Sequence, residues 1–310
     1  MCRLITDKQA KEIIKDILAK GADNAQYVYD NFIKFTNKYH LDISRQVISQ
    51  NRNGKYICNC LLIINPGASG NIILTELNEA TIAQLRFLAR QIENFDIGFL
   101  QSIIDETDTG KEKILSQAGF RRLCLLEIME LESNFNKFNI PVNDEEALAV
   151  NWLTFNNNLQ DEFENTIIAS YKDSMDCPEI TGLRSKQEIL IGHKYSGNFT
   201  PQFWLMLKYK KQNAGIILLN EAVEEPQRLD LIYMGIVPEF RGKGLGKILL
   251  SHAIKLAENS KIRKIRLAVD SRNIPAIRLY HKIGFSTIQR QIVFAVLNEN
   301  RRMKNKRNDR

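Results

Sequence analysis

The sequence predicts a mixed α/β chain of two similar halves, each a central, mostly antiparallel twisted sheet flanked by helices. Three observations predict it. Apolar residues alternate between helical spacing and a period of two along most of the chain. The second half runs from a strand through a glycine-rich turn into a helix between Leu229 and Glu258. The halves also overlay. The shift that lays Ile114-Leu-Ser-Gln-Ala-Gly-Phe120 on Leu279-Tyr-His-Lys-Ile-Gly-Phe285 also lays Asp105 on Asp270 and Thr81–Ile92 on Gly246–Ala257, as a shared supersecondary unit would.

Taken in order, Lys11–Asn37 has helical apolar spacing. Ile57–Ile64 and Ile72–Thr75 read as strands around Asn65-Pro-Gly-Ala-Ser-Gly70, which is dense in turn residues. Ala80–Gln91 reads as an amphipathic helix, Gly98–Ile104 as a strand, Lys111–Ala118 as a short helix stopped by Gly119, and Leu123–Leu131 as a strand. Asn134–Asp144 shows no sustained period. The expected division is therefore a first domain at 1–133, a linker at 134–144, a second domain at 145–297 and a basic tail at 298–310. In the second domain, helices are expected at Glu145–Asn156 and Glu162–Asp173, and strands at Phe203–Lys208, Asn213–Leu219 and Leu229–Val237. A helix at Gly246–Glu258, a strand at Lys264–Val269, a helix at Ile274–Ile283 and a strand at Ile288–Leu297 complete it.

Composition narrows the function. The 310 residues are 44% apolar and 25% charged, the balance of a globular chain long enough for two domains. No apolar run reaches the length of a bilayer span, and Cys60–Ile64 is only strand-sized. The first residues hold no long apolar stretch of the secretory type. A cytoplasmic protein with no membrane partner is the expectation. Five cysteines (Cys2, Cys58, Cys60, Cys124, Cys177) and four histidines are scattered, so reduced thiols and no metal are expected. Net charge is +7, and the tail gathers Arg301, Arg302, Lys304, Lys306, Arg307 and Arg310. A solvated tail is expected, the sharper alternative being weak contact with RNA or another polyanion.

Chemistry concentrates in Gly235-Ile-Val-Pro-Glu-Phe-Arg-Gly-Lys-Gly-Leu-Gly246. Within it Gly242, Gly244 and Gly246 bend the backbone and expose N–H groups at a helix start, where backbone donors and the helix dipole favour a diphosphate. Arg241 and Lys243 add cations there, or are solvated loop charges. Under the internal overlay this turn falls on Glu76-Leu-Asn-Glu-Ala-Thr81, which has no glycine and two repelling carboxylates, and Tyr280 falls on Leu115. The first half therefore reads as a scaffold or substrate-side domain. Along Leu229–Val237, strict alternation would put Asp230 and Tyr233 on opposite faces.

Arg241-Gly-Lys-Gly-Leu-Gly246 together with Asn273, Ala276, Leu279, Tyr280, Gly284 and Phe285 resembles the two signature motifs of the GNAT superfamily of N-acetyltransferases. The whole is similar in plan to tandem two-domain GNAT chains such as mycothiol synthases. The resemblance implies an acetyl-CoA-dependent N-acetyltransferase whose second domain alone is active. Its partners would be an acyl-CoA and an amine acceptor, either a small amine or a protein amino group. A non-catalytic acyl-CoA-binding regulatory protein is the alternative. The resemblance further implies main-chain contacts to pantetheine at Gly235, Ile236 and Val237, and diphosphate contacts across Arg241, Gly242, Lys243, Gly244, Leu245 and Gly246. Asn273 would orient cofactor or water, or cap the following helix. Tyr280 would be the general acid for the departing thiolate, or a ring packed beside Phe285. Candidate acceptor contacts are Asp176, Cys177, Arg184, Asp230 and Tyr233, and the general base is unassigned.

Overall fold

The computed structural model describes residues 2–6, 8–19, 24–50, 53–132, 149–223 and 225–308. In chain order it begins with strand β1 (Cys2–Thr6), helices α1 (Lys8–Ala19) and α2 (Ala25–Lys38), and strands β2 (Arg45–Gln50), β3 (Tyr56–Ile57), β4 (Cys60–Asn65) and β5 (Ser69–Leu74). Helix α3 (Glu79–Arg90), strand β6 (Phe99–Asp105), helix α4 (Thr109–Gln117) and strands β7 (Arg121–Glu132) and β8 (Val150–Thr154) follow. Then come helices α5 (Gln160–Tyr171) and α6 (Lys186–Lys194), and strands β9 (Trp204–Tyr209), β10 (Gln212–Glu221) and β11 (Arg228–Ile236). The chain closes with helix α7 (Leu245–Asn259), strand β12 (Lys264–Asp270), helix α8 (Ile274–Ile283), strand β13 (Ser286–Leu297) and helix α9 (Glu299–Asn308). No described helix is long and apolar enough to cross a membrane.

The chain divides into two compact units, one of 1–123, 182–188 and 292–310, the other of 124–181 and 189–291. The division differs from the one expected in that the first unit also takes in two later segments. The expected linker at 134–144 lies outside the described residues.

In the first unit, β1, β2 and β3 form a small antiparallel sheet. β4 and β5 pair antiparallel, and β5 runs parallel to β6. Helix α1 buries Ala10 among Ile5 and Ile48, and Ile14 among Ile43, Leu61 and Ile63. Two buried glutamines do the work of ladder bonds. Gln46 donates its Nε2 to the carbonyls of Ile43 and Leu62 and accepts the Leu62 N–H, so one side chain ties β2 to β4. Gln84 does the same for Asn59, Ser49 and Ile57.

The segment expected as a solvated basic tail forms helix α9 from Glu299 to Asn308. Asn298 pins its start, donating backbone N–H to Gly98 O (2.8 Å) and Nδ2 to Ile97 O (3.1 Å). Arg301, 14% exposed at its side chain, pairs with Asp96 and Glu188. Arg301 is thus neutralised within the first unit.

In the second unit the sheet runs β7-β12-β11-β10-β9-β8, antiparallel except for β11 with β12. Helices α7 and α8 cover one face, over a core that includes Leu249, Ala253, Ile265 and Ile283. Phe163 and Ile167 of α5, with Ile189 and Leu190, cover the other, around Trp204 and Ile216. The expected helix at Glu145–Asn156 is corrected for its described part, where Val150–Thr154 is a strand. Val150 and Trp152 lie against the first core and Leu153 against the second, the period of two that the short window hid. Trp152 stacks on His252 at 3.9 Å.

The overlay seen in sequence holds element by element: β6, α4 and β7 fall on β12, α8 and β13, and Gly119 and Gly284 both close their helices at positive φ (+91° and +106°). Replacing Gln46 by Leu leaves the Leu62 N–H and C=O buried without partners and should cost about 1–3 kcal/mol, read as a fall in the thermal midpoint. An unchanged midpoint would show that the Gln46 bonds do not hold the first unit together.

Candidate functional site

Strands β11 and β12 pair in register only from Arg228–Lys264 to Leu231–Leu267. Beyond that point β11 keeps its ladder with β10 as far as Ile236–Gly215, and β12 keeps its ladder with β7 as far as Asp270–Leu126. The two neighbours therefore part while each stays anchored on its other edge. From Ile232 to Ile236 the facing edge of β11 has no ladder partner among the described residues.

A bulge marks the parting. Leu218 pairs with Tyr233 but Leu219 with Leu231, so Ile232 is an extra residue on β11. The bulge overturns the expected alternation. Leu231, Met234 and Ile236 face one core, while Tyr233 packs on the other, the side of Leu218. Asp230 pairs with Asn220, two residues on from Leu218, so Asp230 and Tyr233 share a face. Asp230 is held by Arg228, whose Nε lies 2.9 Å from Oδ1. Tyr233 Oη lies 2.7 Å from Ser170 Oγ. Because Ser170 Oγ donates to Ile167 O, the tyrosine hydroxyl is the donor. Burial holds the Tyr233 phenol well above its usual range. Gly235 is backed by the same pair: a Cβ there would meet Tyr233 Oη, and Ser170 Oγ at 2.6 Å.

After Val237 and a single helical turn at Pro238–Phe240, the chain enters the glycine turn. Gly242 (φ +76°) and Gly244 (φ +72°) are left-handed, a conformation that costs other L-residues about 1–2 kcal/mol. Gly244 is the N-cap of α7, with no side-chain cap bond. The N–H groups of Lys243, Gly244, Leu245 and Gly246 donate to no other backbone group among the described residues, and Gly242, Lys243 and Gly244 are exposed. The turn is thus a ready anion cradle.

Its two cations are engaged with protein. Arg241 donates Nε to Ile236 O (3.0 Å), Nη1 to Asp173 O (3.2 Å), and Nη2 to Ser170 O (3.0 Å) and Lys172 O (2.7 Å). It caps the C-terminus of α5 and ties it to the end of β11. Lys243 Nζ donates to Glu239 O and lies over the Tyr209 and Phe240 rings. The helix start in the first unit differs: Asn78 caps α3 by accepting from Ala80 N (3.0 Å) and Thr81 N (3.2 Å), so its own side chain fills the place an anion would take.

Around the far end of β12 a polar cluster forms. Asp270, fully buried, accepts bonds from Arg272 and from Cys177 N (3.1 Å), and its own N–H donates to Asp176 Oδ1 (2.8 Å). Desolvation pushes the Asp270 carboxyl up, but the Arg272 bonds and charge outweigh it and hold it below its usual value. Asp176 keeps solvent contact, yet loss of hydration at its carboxylate end, aided by Asp270, pushes it up against bonds from Asp270 N–H and Asn273. Asn273 also caps α8 through Ala276 N (3.3 Å). Tyr280 is 6% exposed, with its ring 5.7 Å from Phe285. Burial, then the Asp176 charge, push its phenol well up. Of the expected acceptor contacts, the second unit thus brings Asp176 and Cys177 to this cluster. Arg184 belongs to the first unit, over the Phe99 ring (5.3 Å) and bonded to Gly67 O.

Sequence reasoning missed Ser170 and Cys124, and noted Asp270 only through the internal overlay. A signal for Asp270 existed, since Arg272 N–Asp270 Oδ1 (2.9 Å) repeats the turn made by Thr107 N–Asp105 Oδ1 (2.9 Å) under the overlay.

Residues 167–285 match the acetyltransferase (GNAT) family. Mycothiol acetyltransferase from Pseudarthrobacter chlorophenolicus is 30% identical over 70 residues, covering 23% of this chain and 22% of that protein. Streptothricin acetyltransferase from Streptomyces lavendulae is 37% identical over 60 residues, 19% of this chain and 32% of that one. The chain thus aligns with less than a third of the length of these curated relatives. Two solved structures share the fold over nearly the whole chain. A GCN5-related N-acetyltransferase from Sphaerobacter thermophilus has a TM-score of 0.57 at 14% identity, covering 96% of both chains. A tandem GNAT protein from the clavulanic acid biosynthesis pathway has 0.57 at 12%, covering 95% of this chain and 98% of that one.

Gly246 is helical, and a Cβ there would find only ordinary contact, 3.5 Å from Leu279 Cδ2. Gly246→Ala should leave stability unchanged or raise it by up to about 1 kcal/mol, whereas Gly242→Ala should lower it by about 1–2 kcal/mol. Thermal unfolding of the two variants checks this, and equal effects would contradict it.

Proposed function

We propose, from the match of residues 167–285 to the acetyltransferase (GNAT) family, that the second unit transfers an acetyl group from acetyl-CoA directly to an amine. The observation that carries this reading is the parting of β11 from β12 beside an uncapped, glycine-formed helix start. An acyl-CoA has a diphosphate, two amides in an extended arm and a thioester, and these features answer to that geometry in order. The N–H groups of 243–246 would hold the diphosphate, a helix start favouring an anion by about 0.3–1 kcal/mol or more when partly buried. The open edge that ends with Gly235 and Ile236 would pair with the pantetheine amides as an added strand; Val237, also expected there, already gives its N–H to Ala214 O and its carbonyl to Phe240 N–H. The main chain of the turn, not the Arg241 and Lys243 side chains, supplies the contact in this reading, since both cations already serve protein carbonyls. Gly246 has no need to be glycine within the chain itself, so its bareness serves the approach of a ligand.

The chemical step is attack of a neutral amine on the thioester carbonyl, collapse of the tetrahedral adduct, and departure of the CoA thiolate. Tyr280 supplies the proton to the thiolate, the nitrogen loses its surplus proton to solvent, and the phenolate is reprotonated from solvent. Its raised pKa keeps the phenol protonated at neutral pH, the state a donor requires. Asn273 positions the region by capping α8 and bonding Asp176. Acceptor contacts fall to Asp176 and Tyr233, with Ser170 behind Tyr233. Asp230 is left out of this set in our reading, since its carboxylate already pairs with Arg228. The acceptor is an amine of a small molecule or a protein. The first unit, whose helix start is capped by Asn78 and which has Leu115 in the place of Tyr280, is assigned no transfer of its own.

Tyr280→Phe should lower kcat by about 10²–10⁴-fold while acetyl-CoA affinity changes little, measured by thiol release with an amine panel and by calorimetry. Undiminished turnover would remove Tyr280 from the mechanism. Binding of acetyl-CoA with no turnover of any amine by the unmodified protein would favour a regulatory acyl-CoA binder.

A further inference from the structure

We propose that Cys124 and Cys177 form a dithiol that a small-molecule disulfide converts into an intramolecular cross-link, making this pair a covalent modification site. The two Sγ atoms lie 3.0 Å apart although the residues are 53 positions apart in sequence. The approach is built by backbone on both sides. Cys124 is buried on β7, next to Leu125, whose carbonyl accepts the Ser271 N–H (2.8 Å). Cys177 sits in the left-handed region (φ +42°, ψ +56°), a conformation that a cysteine adopts only under constraint. The constraint is visible: its N–H donates to the buried Asp270, and its carbonyl accepts the Ile180 N–H (3.2 Å). Glu179, in the same loop, is clamped by Arg272 through two bonds of 2.6 and 3.0 Å. The sulfur of Cys177 is therefore held toward Cys124 by the fold.

Asp270 offers a third ligand atom within 4.8 Å, which raises the question of a metal. The carboxylate is already spent. Oδ1 accepts from Arg272 N and Nε, and Oδ2 from Cys177 N and from Arg272 Nη2 at 2.6 Å. A metal cation bound there would face a guanidinium at close range, whereas a disulfide adds no charge.

The reaction balances with the small disulfide as oxidant. Cys177, the more exposed thiol, loses its proton to solvent and attacks one sulfur of the reagent, breaking its S–S bond and releasing one thiolate. Cys124 then loses its proton and attacks the Cys177 sulfur of the mixed disulfide. The protein S–S bond forms and the second thiolate leaves, so that one small disulfide becomes two thiols. The groups facing Cys177 set the pH dependence. They are the Cys124 thiol on β7, Asp176 in its own loop and Asp270 at the end of β12, with Arg272 bonded to Asp270 and to Glu179 behind them. The hydrogen bond with Cys124, then burial, then the carboxylates hold the Cys177 thiol above its usual range. The rate of cross-linking therefore rises with pH.

The test treats the full chain with oxidised glutathione in mildly alkaline buffer, followed by peptide mapping under non-reducing conditions. The expected result is one species lacking two hydrogens, with the peptides of Cys124 and Cys177 joined, released by dithiothreitol, and a higher thermal midpoint because a long loop has been closed. Cys177→Ser and Cys124→Ser should each abolish it. Should either variant fail to fold, the map of the unmodified chain still decides. Glutathione that stays on Cys177 without resolving onto Cys124, cross-links through Cys58 or Cys60 instead, or protection of the pair by added zinc would overturn the proposal. None of these readouts depends on acetyl transfer.

Discussion

Two parallel neighbours, β11 and β12, run together for four paired residues and then separate, and the candidate site follows from how the fold sustains that separation. An open strand edge inside a sheet is costly unless its polar groups find partners. The second unit contains the cost by holding each strand on its other side, through β10 and β7. The bulge at Ile232 turns β11 where the edge opens, and Arg241 ties the end of β11 to the last carbonyls of α5. The glycine turn then delivers an uncapped helix start near the end of the same strand. Edge, turn and helix are one continuous piece of chain, and the proposed extended ligand with an anionic end would meet complementary groups along it.

The two halves are built alike. Their elements correspond closely from β6 and β12 onward, and both use a left-handed glycine to stop the following helix. They differ at the helix start. Asn78 and Thr81 form a reciprocal cap that satisfies the first N–H groups of α3, while Gly244 leaves those of α7 to be met from outside. A side-chain cap stabilises a helix by about 0.5–2 kcal/mol. Its absence at α7 is a local loss of stability at the place where a ligand is proposed to bind.

Much of this was legible in the sequence. The repeat, the strand-turn-helix at Leu229–Glu258 and the turn glycines carry signals that are local and periodic. What escaped depends on tertiary context. The bulge at Ile232 leaves no mark in a run such as Leu229–Ile236, so alternation set Asp230 and Tyr233 on opposite faces when they share one. Arg241 sits where a cation toward phosphate was expected, and only the fold shows four main-chain carbonyls around it. The strand at Val150–Thr154 was hidden because its pairing with β9 is distant in sequence. Arg301 looked solvated because its acidic partners, Asp96 and Glu188, are far from it along the chain.

The most direct test compares CoA with pantetheine, which keeps the amide arm and the thiol but lacks the diphosphate, by calorimetric titration of the full chain at several salt concentrations. The account predicts that CoA binds much more tightly, that its advantage shrinks as salt rises, and that a bulky residue in place of Gly246 removes it. Equal affinity for the two compounds, or no binding of CoA, would contradict it.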